Sequence, residues 1–140
     1  MNIAHVDYTM AYRSLDIYVA GCMAPHCPGC HNPELWDFDK GYSWGSQIER
    51  MAEYLESPLV DNIMVMGGEP LHQDMNDLKA LLRFFKRYEK PIWLFTRYEL
   101  LEVPEEILQL YCDYIKTGPY RQDLTDEQPE YFGITLASSN

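Results

Sequence analysis

Residues 15–36 read Leu15-Asp16-Ile17-Tyr18-Val19-Ala20-Gly21-Cys22-Met23-Ala24-Pro25-His26-Cys27-Pro28-Gly29-Cys30-His31-Asn32-Pro33-Glu34-Leu35-Trp36. The first six alternate and are rich in strand formers, so they predict a β-strand. Gly21 ends that run, and Cys22, Cys27 and Cys30 follow at once. A second strand, Asn62-Ile63-Met64-Val65-Met66, likewise stops at a glycine turn, Gly67-Gly68-Glu69-Pro70.

What lies between and beyond these runs is helical or extended. Ser46 and Glu49 have the spacing of a capping box ahead of Ile48, Met51, Ala52 and Leu55, which share one helix face, and Pro58 closes that helix. Asp74 caps a second helix whose apolar face is Leu78, Leu81, Leu82 and Phe85. Pro91 opens a further strand, Ile92-Trp93-Leu94-Phe95. Pro104, Glu105 and Glu106 start a short helix carrying Ile107, Leu110 and Tyr111, and Asp113 to Lys116 form a last strand before Gly118-Pro119. The polar stretch 119–140 is predicted to be mostly irregular.

Strands alternating with helices predict parallel βαβ units with right-handed crossovers. A complete eight-fold barrel takes about 250 residues. The 140 residues here make one domain, an α/β fold of the partial (open) parallel β/α barrel kind. In such sheets ligands collect at the carboxyl ends of the strands. The cysteine loop and the glycine turn both follow strands, so they belong to the same edge.

Composition narrows the function. Eleven basic against 22 acidic residues give a formal charge of −11, which argues against nucleic acid, whose phosphates need a basic face. No apolar run approaches the ~20 residues of a membrane helix. Residues Met1 to Arg13 lack an apolar signal core, so a cytoplasmic location is expected. In that compartment clustered cysteines bind metal or do redox work rather than form disulfides. Cys112 stands apart in an apolar stretch and reads as a buried structural thiol.

Cys27-Pro28-Gly29-Cys30-His31 has the spacing of a c-type haem attachment site or a thioredoxin-like redox pair. Both leave Cys22 without a task, the first needs export, and Asn32-Pro33 interrupts the helix the second requires. Two readings use all three thiols. One is structural zinc held with His26 or His31; the other is a 4Fe–4S cluster with one iron lacking a protein ligand. Spacing alone does not separate them. A zinc knuckle gives no reason for Gly-Gly-Glu on the same edge, whereas an open iron does. A methionine amino group and carboxylate can chelate that iron, with Gly67 and Gly68 giving close backbone approach and Glu69 accepting from the amino group.

These residues resemble the radical S-adenosylmethionine superfamily. Within it they are most similar to the activating proteins of the anaerobic ribonucleoside-triphosphate reductase. The resemblance also takes in His31-Asn32-Pro33-Glu34-Leu35-Trp36, Leu71-His72, Thr96-Arg97-Tyr98, Gly118-Pro119-Tyr120 with Asp123-Leu124, and Ser138-Ser139-Asn140. Two departures stand out. Four residues separate Cys22 from Cys27 where the superfamily usually has three, and Met10-Ala11-Tyr12-Arg13 replaces a glycine-rich stretch.

The resemblance implies a barrel of the radical S-adenosylmethionine type, holding a 4Fe–4S cluster on Cys22, Cys27 and Cys30. It implies cleavage of S-adenosylmethionine by an electron from a flavodoxin or ferredoxin, and a glycyl radical made on the large subunit of the anaerobic (class III) ribonucleotide reductase. An activase for another glycyl-radical enzyme, a small-molecule radical enzyme and a non-catalytic zinc module remain the alternatives. His26 and His31 flank the cluster position and His72 follows the glycine turn. Trp36 and Phe38 are adenine-pocket or packing residues. Thr96 and Lys116 end strands on the predicted edge and are candidates for the nucleoside or carboxylate of the cofactor.

Overall fold

In the computed structural model, six strands form one sheet: β1 (Asn2–Thr9), β2 (Ser14–Val19), β3 (Tyr42–Ser43), β4 (Asn62–Gly67), β5 (Ile92–Phe95) and β6 (Tyr114–Lys116), in the order β3-β1-β2-β4-β5-β6. The structure describes residues 1–30 and 32–119, with the backbone of 130–131 and 134–135. Strands β2, β4, β5 and β6 are parallel. Helix α1 (Ile48–Leu55) bridges β2 to β4, and α2 (Met75–Lys86) bridges β4 to β5, as the alternation predicts.

The register explains which side chains meet the helices. Ile17, Val65, Leu94 and Ile115 form one row across the sheet, and Asp16, Met64, Trp93 and Tyr114 form the next. Successive residues of a strand face opposite sides. The first row therefore joins Met51, Leu55, Leu78, Leu81, Leu82 and Phe85 of the helices in the main core. On the other face Asp16 is buried, held by the hydroxyls of Ser14 (2.7 Å) and Thr9, and Trp93 stacks on Tyr114 at 4.2 Å.

Three local expectations need correction. Residues 2–9 form a strand antiparallel to β2, where the alternation of strands and helices predicts parallel pairing. A register shift between Ile3 and His5 turns both Ile3 and Val6 inward, which breaks the two-residue period. Ser46 does not cap α1: its hydroxyl donates to the Ser43 carbonyl (2.7 Å) inside a 3₁₀ turn, and the helix starts after Gln47 with no side-chain cap. Residues Ile107–Tyr111 are one π-type turn that buries Ile107 and Tyr111 and leaves Leu110 exposed.

Asp74 does cap α2, accepting from the Asp77 N–H at 3.0 Å. In the predicted irregular tail the described backbone is a two-stranded hairpin, β7 (Glu130–Tyr131) with β8 (Ile134–Thr135). His31, Tyr120, Asp123, Leu124 and Ser138 to Asn140 lie outside the described residues. Among the described residues no helix is long and apolar enough to cross a membrane.

Candidate functional site

Each parallel strand delivers one piece of a common edge. β2 runs into Gly21 and the cysteine loop, β4 into Gly68-Glu69-Pro70, β5 into Thr96-Arg97-Tyr98, and β6 into Thr117-Gly118. Backbone bonds stitch the first two together. The Gly68 N–H donates to Val19 O (3.0 Å) and the Glu69 N–H to Gly21 O (2.8 Å). The Gly21 and Cys22 N–H groups donate to Leu35 O (2.8 Å) and Trp36 O (3.1 Å), closing the far end of the loop onto its root. The buried Gln73 amide bridges Gly21 O (3.2 Å) and Glu69 O (3.1 Å).

The glycines serve this stitching before they serve any ligand. A Cβ on Gly68 would stand 2.3 Å from Gly21 O. Gly67 has φ +123°, and its Cβ would stand 2.5 Å from Val19 O. Only glycine tolerates that conformation and that approach. A Cβ on Gly21 would meet the Phe38 ring at 2.1 Å, so Phe38 packs over this glycine.

Glu69 is 2% exposed, yet its carboxylate is well supplied with donors. Oε2 accepts from the Leu71 N–H (2.9 Å) and the Thr96 hydroxyl (2.8 Å), and Oε1 from the Arg97 N–H (2.7 Å). Burial raises its pKa above 4.5, and these donors oppose the rise. Thr96 is thus turned to Glu69 inside the protein. The Lys116 ammonium donates to Gly118 O (2.9 Å); burial lowers its pKa, with Cys27, Glu69 and Glu99 near enough to counter the shift.

Cys22, Cys27 and Cys30 are free thiols of intermediate exposure on the loop above. Burial pushes the Cys22 thiol up to about 11, against the pull of the Arg97 guanidinium. The inserted stretch between Cys22 and Cys27 is pinned at three points. The Met23 N–H donates to His72 Nδ1 (2.9 Å), Pro25 O accepts from Arg97 Nη1 (2.7 Å), and His26 Nε2 lies 2.8 Å from Cys22 O. The His26 ring is stacked on Trp36 at 3.7 Å, and Trp36 Nε1 is buried with no hydrogen-bond partner among the described residues.

Burial, then the charge of Arg97, lowers the His72 pKa, so this ring is neutral. With Nδ1 accepting, the proton sits on Nε2 and is donated to the Tyr98 hydroxyl at 2.5 Å. Arg97 Nη1 also lies 3.5 Å from Cys22 Sγ. Neither Arg97 nor Gln73 was singled out for the site from the sequence. Arg97 directly follows Thr96 at a strand end, the signal that marked Thr96, and Gln73 carries no such mark. Cys112, expected to be buried, is half-buried away from this edge and donates to Ile107 O (3.4 Å).

The donor set suits iron and sulfide: three soft sulfur ligands on one loop with a cation beside the first. Among the described residues no three His, Cys, Asp or Glu side chains gather round a point that could hold a single ion. The family described as 4Fe-4S single cluster domain matches residues 12–136.

The chain belongs to that iron–sulfur family. It is similar to the anaerobic ribonucleoside-triphosphate reductase-activating protein of Enterobacteria phage T4, 29% identical over 112 residues that cover 77% of this chain and 71% of the relative. No solved structure matches.

Proposed function

We propose that the chain is a radical-generating activase that cleaves S-adenosylmethionine reductively and installs the glycyl radical of an anaerobic ribonucleotide reductase. The observation that carries this is the meeting, on one sheet edge, of three half-buried thiols and a Gly-Gly-Glu turn in a 4Fe–4S family member. The phage relative, named for activating that reductase, supports the choice of protein substrate.

Cys22, Cys27 and Cys30 are the residues that hold the cluster. When bound there, the cluster would supply the one-electron reduction that breaks the S–C5′ bond of S-adenosylmethionine, the chemistry needed to take a hydrogen atom from a glycine of the large subunit. The chain itself binds and orients. Gly67 and Gly68 bring backbone to the methionine end, and buried Glu69 fixes their turn and sets a carboxylate behind it. Thr96 acts through Glu69, and Lys116 is the cation for the methionine carboxylate. On this proposal the sheet is a partial barrel and residues 1–140 are one radical S-adenosylmethionine domain. Its open edge admits a loop of the partner, and a flavodoxin or ferredoxin in the cytoplasm provides the electron.

Anaerobic reconstitution tests this directly. A brown protein with iron and sulfide that yields 5′-deoxyadenosine under dithionite is expected, with the yield lost in Cys30→Ala. A colourless protein holding one zinc, or a full cluster with no 5′-deoxyadenosine, overturns it.

A further inference from the structure

Four residues separate Cys22 from Cys27, one more than the radical S-adenosylmethionine superfamily usually has. A longer loop is entropically freer, and its ends must still present three sulfurs in one arrangement. In this structure the freedom is removed from outside the loop. His72 Nδ1 accepts from the Met23 N–H, Arg97 Nη1 donates to Pro25 O, and Arg97 also reaches Cys22 Sγ. Arg97 is itself held from behind, since its backbone N–H donates to Glu69 Oε1 at 2.7 Å.

One residue therefore links the two halves of the site. Its backbone is tied to the Gly-Gly-Glu turn and its guanidinium to the loop that carries the sulfurs. An arginine can do both jobs because its planar fork presents several donors at once and stays charged. We propose that Arg97 is a positioning residue that clamps the cysteine loop and sets the reduction potential of the cluster through a charge-assisted contact with the Cys22 sulfur. A cation beside a ligand sulfur favours the more negative, reduced state of an iron–sulfur centre, and hydrogen bonds to sulfur are an established control on its potential.

This inference rests on the iron–sulfur reading, and the experiment separates the two. Wild type, Arg97→Gln and Arg97→Lys are reconstituted anaerobically, and iron, sulfide and the midpoint potential are measured for each. No iron and sulfide in the wild type ends the iron–sulfur reading itself. With the cluster present, Arg97→Gln is expected to give a more negative midpoint. At a fixed solution potential its ratio of reduced to oxidised cluster falls about tenfold, equivalent to about 59 mV for a one-electron couple. Arg97→Lys keeps the charge without the fork and is expected to shift the midpoint less than Arg97→Gln. Equal midpoints in wild type and Arg97→Gln, or a shift in Arg97→Lys as large as that in Arg97→Gln, overturns the assignment.

The clamp is also measured without the cluster. Amide hydrogen exchange across residues 22–27 of the cluster-free chain is expected to quicken in Arg97→Gln while exchange in β2 and β4 stays unchanged. Unchanged exchange in the loop removes the positioning role, and a general rise through both strands reduces it to fold maintenance.

Discussion

The two loops that meet on the active edge are built in opposite ways. The Gly67-Gly68-Glu69 turn, in which Glu69 is buried, is held by backbone, with the Gly68 and Glu69 N–H groups bonded to Val19 O and Gly21 O and no room for a Cβ on either glycine. The cysteine loop stands more open and is held mainly by side chains sent from other elements: His72, Arg97 and Trp36. The turn is part of the fold, whereas the loop is attached to it. On the proposed function, a site that accepts a cluster and a cofactor gains from that division, because one wall is fixed by the fold before anything binds and the other is held by adjustable side chains.

The sharpest way to break the contrast is Gly68→Ala. Its Cβ would collide with the Gly21 carbonyl, which is backbone and cannot step aside. The variant should lose about 3 kcal/mol of stability in urea titration, with iron retention falling alongside. Thr96→Val comes next. It keeps the volume but removes the donor to Glu69 Oε2 and the acceptor of the Tyr98 N–H, a cost of about 2 kcal/mol.

Thr96→Val should also change the pH dependence. Glu69 binds its proton more tightly folded than unfolded, so the stability this gives is fully present below pH 4.5 and is lost as the pH rises through the raised folded value. Removing the Thr96 donor raises the folded value further and steepens that decline. Urea midpoints at several pH values above 4.5 check it, and parallel pH profiles for the two proteins would refute it.

The same contrast governs what could be read from the sequence. β2, β4, β5 and α2 were legible because each carries its own period and its own stop, such as Gly21 after Ala20 or Asp74 before the Leu78–Phe85 face. The meeting of the cysteine loop and the glycine turn was legible as well, since both follow parallel strands. β1 was not, because a bulge breaks its alternation. The propping of the loop was hidden for a different reason. Arg97 and Cys22 are 75 residues apart and His72 and Met23 are 49 apart, and such contacts leave no local trace in a chain. The role of Glu69 was read only in part. Its carboxylate is on the right edge, but three donors from Leu71, Thr96 and Arg97 already occupy it.

Smaller effects should appear on the loop side. His72→Phe removes the acceptor of the Met23 N–H and should cost about 1 kcal/mol, with faster exchange confined to residues 22–27. The smallest change in stability concerns the sulfurs themselves. Cys27→Ser should lie within about 0.5 kcal/mol of wild type in the metal-free chain and yet lose its iron, since the loop is attached to the fold rather than part of it. Cys22 sits nearest the rigid wall, and burial there outweighs the pull of Arg97. With its thiol pushed up to about 11, it is protonated in the metal-free chain at neutral pH, and the thiolate is the reactive form. Alkylation of Cys22, followed by peptide mapping, should therefore be slow at pH 8 and climb as the pH approaches 11. A Cys22 that alkylates at neutral pH as fast as an exposed thiol would mean that this end of the loop swings free of the wall, and the contrast between the two loops would have to be drawn one residue closer to Gly21.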